Sequence, residues 1–148
     1  MANVLIVYGS TTGNTEWVAG KLQDQIKAAG HSVDCEKVGG VKASGLCSGK
    51  DLVLFGCSTW GQDEIELQDD FIPLYEAFDS IGASGVKTAV FGCGDEDYTH
   101  FCGAVDAITE KLNALGSTVV GGKLKINGDP GDSEEAIKNW GQGVISNI

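Results

Sequence analysis

The chain reads as a doubly wound α/β sandwich of three layers, with a five-stranded parallel sheet covered by helices on both faces. Two observations lead there. Residues 3–8, 51–56 and 87–92 are short runs dominated by apolar residues rather than alternating with polar ones, as strands buried on both faces require. Stretches with helical spacing alternate with these runs, and right-handed crossovers between parallel strands leave few other topologies. At 148 residues the chain has room for one compact domain, residues 1–148.

The first strand, residues 3–8, runs into the glycine-containing turn from Gly9 to Gly13. From Thr15 the apolar residues Val18, Leu22 and Ile26 recur every four positions, and Gly30 supplies a stop, so a helix of about four turns follows. Gly20 lies inside it at a cost of about 1 kcal/mol relative to Ala. Residues 31–37 form a weaker strand, and the polar stretch 39–49 is a loop or short helix. The strands at 51–56 and 87–92 flank a predicted helix over 68–78, and residues 119–126 complete the sheet. Phe101, Val105, Ile108, Leu112 and Leu115 define one more helical face, and Ile137, Trp140, Val144 and Ile148 another. Trp17 and Trp140 are expected to be packing residues.

All ten basic residues are lysines, against 21 acids, for a formal charge of -11. That balance argues against nucleic acid or a membrane surface as partner, because both attract clustered positive charge. Without arginine there are no bidentate phosphate forks and no arginine fingers. The early apolar run is far shorter than the roughly 20 residues of a membrane span, and no leader precedes it, so a cytoplasmic protein is expected. Cys35, Cys47, Cys57, Cys93 and Cys102 lack metal or cluster spacing. The first three are read as buried small hydrophobes and the last two as non-catalytic; no metal site and no catalytic residue is assigned.

In a doubly wound sheet, ligands bind beyond the carboxyl ends of the strands, where the loops after Tyr8, Gly56 and Gly92 converge. The first loop carries the hydroxyls of Ser10, Thr11, Thr12 and Thr15, the amide of Asn14, and consecutive N–H groups at a helix start. That is an anion cradle. A nucleoside triphosphate is disfavoured, since Asn14 stands where a Walker loop has lysine, and the G-x-G-x-x-G dinucleotide pattern is absent. One terminal phosphate held without a cation suits this loop. Trp60 and Tyr98, one on each of the other two loops, suit a planar ring, with stacking worth about 1–3 kcal/mol per face.

Ser10 to Thr15, Ser58 to Gly61, and Gly92 to Asp95 with Tyr98 resemble the three flavin loops of flavodoxins, and the likeness runs the length of the chain. It is strongest to the short-chain flavodoxins of sulfate-reducing, Desulfovibrio-like bacteria, because residues 119–127 leave no room for the insertion of the long-chain group. The resemblance implies the strand order 2-1-3-4-5 and bound FMN. It also implies that Ser10, Thr11, Thr12, Gly13, Asn14 and Thr15 hold the phosphate, and that Ser58 and Thr59 meet the ribityl region. Trp60 and Tyr98 then flank the isoalloxazine, and Gly61 offers its carbonyl to the protonated N5 of the semiquinone. Cys93, Gly94 and Phe101 belong to the same ring loop, with backbone groups of Asp95, His100 and Cys102 at the pyrimidine edge. His100 replaces an aromatic residue of the relatives, so only its backbone contact carries over.

Between residues 61 and 99 ten acids face the single base Lys87. Each carboxylate about 10 Å from the ring opposes the second electron by roughly 0.4–1.7 kcal/mol before salt screening. The expected function is therefore a low-potential, one-electron carrier cycling mainly between semiquinone and hydroquinone, a monomer that meets redox proteins with basic surfaces transiently. The alternative is a flavodoxin-like NAD(P)H:quinone reductase, for which the chain is short and lacks an arginine to receive a 2′-phosphate. A flavin-free receiver domain of the same fold would need acids where Gly9, Ser10, Cys57 and Ser58 stand.

Overall fold

A computed structural model describes residues 2–10, 13–60, 66–67, 69–94 and 102–148. In chain order the strands and α-helices are β1 (Asn3–Gly9), α1 (Asn14–Ala28), β2 (Ser32–Lys37), β3 (Leu52–Cys57), β4 (Thr59–Trp60), β5 (Glu66–Leu67), α2 (Ile72–Glu76), β6 (Lys87–Gly94), α3 (Gly103–Ala114), β7 (Thr118–Asn127) and α4 (Glu134–Ile145). The main sheet has the order β2-β1-β3-β6-β7 and every pairing in it is parallel. With the small β4-β5 ladder set aside, this is the expected order 2-1-3-4-5. Among the described residues no helix is long and apolar enough to cross a membrane.

Alternate residues of each central strand feed two separate cores. Val4, Ile6 and Tyr8 of β1 pack with Val18, Leu22 and Ile26 of α1 and with Ile137 and Val144 of α4. Leu5 and Val7, pointing to the other face, join Val105, Ile108 and Leu112 of α3 and Phe71, Leu74 and Phe78 around α2. All six residues of β3 are buried, which explains its unbroken apolar run. The close of α1 follows the expected stop: Gly30 N–H bonds to Lys27 O at 3.0 Å and His31 N–H to Ile26 O at 3.3 Å, with Gly30 at φ +92.

Three expectations need correction. The helix over 68–78 is broken: a 3-10 turn at Asp69–Phe71, the short α2, and a second 3-10 turn at Phe78–Ser80. Pro73, in the first turn of α2, has no N–H to donate back to Asp69, so the α-type pattern does not extend back through the 3-10 turn before it. Phe71, Leu74 and Phe78 still face one core, with Phe78 5.2 Å from the Phe55 ring centroid. Trp17 is not a packing residue. It lies beside the buried stripe of α1, remains 37% exposed, and has the Lys21 ammonium 5.0 Å from its ring centre. Cys35, on the edge strand, is half-buried, unlike the fully buried Cys47 and Cys57. Trp140 does pack, edge-on to Phe91 at 6.1 Å, and its Nε1–H donates to Gly122 O at 3.1 Å.

The start of α3 is tied to β7 through Asp106, whose carboxylate accepts from Lys123 and Lys125, each at 2.8 Å. Partial burial pushes this carboxyl up, but the two ammonium groups outweigh it and hold its pKa below the ordinary value. Stability from a lowered carboxylate is fully present above the unfolded pKa of about 3.9 and fades as pH falls through the folded one. Asp106→Asn is expected to lower unfolding stability by about 0.5–1 kcal/mol at pH 7, since the group is partly exposed. The deficit should shrink below pH ~4; urea unfolding at pH 7 and pH 3 checks this, and equal deficits would contradict it. A Cβ on Gly20 meets no atom within 4 Å. Gly20→Ala should therefore raise stability by about 0.5–1 kcal/mol in the same assay.

Candidate functional site

β1, β3 and β6 run parallel and end at one edge of the sheet, with the topological switch point between β1 and β3. Beyond β1 the chain turns tightly. Ser10 Oγ accepts a hydrogen bond from Gly13 N–H at 3.1 Å, and Gly13 takes φ +91, a left-handed conformation that suits glycine. As N-cap of α1, Gly13 lays no side chain over the helix end. The first-turn N–H groups, which a helix cannot satisfy internally, therefore open toward the loop.

The second loop is fastened at both of its first residues. Ser58 Oγ pairs with Thr15 Oγ1 at 2.8 Å in a buried setting, joining β3 to the first turn of α1. Thr59 Oγ1 accepts from the N–H of Ala104 at 2.8 Å, joining β4 to the first turn of α3. The chain then pairs antiparallel with itself, Thr59 opposite Leu67 and Trp60 opposite Glu66.

The third loop leaves β6 after Gly94, whose carbonyl accepts from Gly128 N–H at 3.0 Å. A Cβ on Gly92 would overlap the Cys57 carbonyl oxygen and come within 2.8 Å of Val105 Cγ2. The ends of β3 and β6 and the start of α3 approach this closely because position 92 has no side chain. The chain re-enters at Cys102, at φ +49 the single positive-φ non-glycine among the described residues. Its thiol donates weakly to Gly92 O at 3.6 Å and Ile126 O at 3.7 Å. Burial pushes the Cys102 thiol up to about 12 and Cys93 up to about 11, the latter against a lowering hydrogen bond with Thr15. Both stay protonated near neutral pH and are poor nucleophiles.

Of the residues the sequence points to, Ser10, Gly13, Asn14, Thr15, Ser58, Thr59, Cys93, Gly94 and Cys102 come together at this edge, and Trp60 joins through its backbone. Thr11, Thr12, Gly61, Asp95, Tyr98, His100 and Phe101 lie outside the described residues. Ala104 escaped the sequence reading, because a backbone N–H that receives a distant hydroxyl leaves no trace in residue type. The arrangement can hold an anion with amides, hydroxyls and a helix end.

Comparison with known proteins agrees with this geometry. A family model described as flavodoxin matches residues 6–140. The flavodoxin of Nitratidesulfovibrio vulgaris is 59% identical over 146 residues, covering 99% of each chain. That of Maridesulfovibrio salexigens is 53% identical over 148 residues, covering both chains completely. In structure, oxidised flavodoxin 2 of Bacillus cereus superposes with a TM-score of 0.90 at 31% identity, covering 99% of this chain and 100% of that one.

Proposed function

The chain belongs to the flavodoxin family, and from that premise we propose that it binds one FMN and passes single electrons between redox proteins, converting no substrate of its own. The observation that carries the reading is the start of α1: Gly13 left-handed with no side chain over the helix end, Ser10 folded onto it, and the Thr15–Ser58 hydroxyl pair beside it. Such a donor set fits a single terminal phosphate, held by hydroxyls, amides and the positive end of a helix worth about half an elementary charge. Neither residues 10–15 nor residues 58–59 include a lysine.

Bound FMN supplies two successive one-electron steps, and the protein decides how they are separated. Ser10, Thr11, Thr12, Gly13, Asn14 and Thr15 hold the phosphate, and Ser58 and Thr59 lie along the ribityl chain. Trp60 and Tyr98 would flank the ring. Gly61 would offer its carbonyl as an acceptor to the ring N5–H. The remaining third-loop residues, Cys93, Gly94, Asp95, His100, Phe101 and Cys102, surround the pyrimidine end, with the backbone of Asp95, His100 and Cys102 at its edge. This assignment draws on the family likeness and on the meeting of the three loop stems at one edge.

The carrier would work mainly between the one- and two-electron-reduced states of FMN, because a second electron would add negative charge to a chain with 21 acids against ten lysines. Donor and acceptor bear basic surfaces that the acids attract, in brief, salt-sensitive contacts of small area. It acts as a cytoplasmic monomer built from one domain.

Neutralising Asp63, Glu64 and Glu66 together (Asp63→Asn, Glu64→Gln, Glu66→Gln) is expected to raise the potential of the second reduction step by tens of mV, since about 60 mV corresponds to 1.4 kcal/mol for one electron. Potentiometric titration of parent and variant at low ionic strength reads this directly. A second potential equal in the two proteins would contradict the electrostatic account.

A further inference from the structure

Thr59 stands where β4 meets the start of α3. Its hydroxyl oxygen accepts from the backbone N–H of Ala104, 45 positions away, at 2.8 Å and in a buried setting. Thr59 itself is only 6% exposed. Ala104 lies in the first turn of α3, whose own N-cap, Cys102, makes no side-chain cap. A hydroxyl from another strand thus does what a local Ser or Thr cap usually does. Ser58, its neighbour, reaches the opposite way, to Thr15 of α1. Successive side chains of an extended segment point to opposite faces, so this dipeptide braces one helix on each side of the sheet.

We infer that Thr59 is a positioning residue for the flavin ring, acting through α3: its bond to Ala104 fixes the return of the third loop relative to β4. The inference rests on the flavodoxin reading of the site. The residues assigned to the two ring faces, Trp60 and Tyr98, belong to different loops. Trp60 directly follows Thr59 in β4, and Tyr98 lies in the segment that ends at Cys102, two residues before Ala104. The Thr59–Ala104 bond spans those two segments. Ser58 ties the second loop to the first turn of α1, whereas Thr59 ties it to the start of α3, where the chain returns from the third loop. Removing the hydroxyl leaves the Ala104 N–H buried without its acceptor, a penalty that shifting the helix start relieves.

The test compares Thr59→Val, which keeps the shape and deletes the oxygen, with Thr59→Ser, which keeps the oxygen. FMN affinity and the separation between the two reduction steps are measured on both and on the parent. Thr59→Val is expected to weaken FMN about tenfold and to change the step separation, with Thr59→Ser within about twofold of the parent. If Thr59→Val leaves the step separation at the parental value, whether it lowers thermal stability alone or weakens FMN as well, the hydroxyl is a helix cap or a ribityl contact and the inference fails. Should Thr59→Val not fold, amide exchange in the parent decides. FMN is expected to slow exchange at Ala104 at least tenfold more than at Leu112 of the same helix, and an equal effect at both overturns the proposal. A parent that takes up no FMN sinks the flavodoxin reading and this inference with it. FMN uptake by the parent with an indifferent Thr59→Val sinks only the positioning role.

Discussion

Everything at the site follows from a sheet whose central strands are parallel and covered on both faces. Parallel neighbours cannot be joined by tight hairpins, so each connection crosses a face and each strand delivers its carboxyl end to the same edge. The alternation of Val4, Ile6 and Tyr8 with Leu5 and Val7 divides the apolar residues between two cores, one under α1 and α4 and one under α2 and α3. Those cores hold the helix starts rigidly behind the loops. The polar links at that edge, Thr15 to Ser58 and Thr59 to Ala104, are short and buried because well-packed elements stand behind each partner.

Charge is distributed to match. On the proposed reading, an arginine-free chain with 21 acids would recognise an anion without cations of its own in residues 10–15, using dipoles and hydroxyls. Holding the phosphate in this way leaves the surrounding surface free to stay acidic. The thiols near the ring end add no charge, because burial keeps Cys93 and Cys102 protonated. On the proposed reading, the carboxylate field would then be the main electrostatic lever on a bound ring, an influence that salt weakens.

Strands and helix faces were legible in the sequence wherever burial dominates. The unbroken run of β3, the four-residue spacing along α1 and the stop at Gly30 each reflect one strong local preference. The broken helix around α2 was not, because the spacing of Phe71, Leu74 and Phe78 records which side faces the core and not whether the turns before Ile72 and after Glu76 are α or 3-10. The β4-β5 ladder is two residues long on each side, too short to show a periodicity. Trp17 is large and apolar yet exposed, because it sits one position off the buried stripe that includes Val18 and Leu22. At the site, the turn into α1 was legible because short polar residues and glycines cluster before it. The role of Thr59 was not, since its partner is a backbone amide brought near only by the fold.

The account stands most directly on how the FMN-loaded protein changes colour as it is reduced stepwise without oxygen. It predicts that the yellow form turns blue, with a broad long-wavelength band, before it bleaches, as a stabilised one-electron state of the flavin requires. Direct bleaching from yellow, with no blue species at half-reduction, would contradict the one-electron carrier.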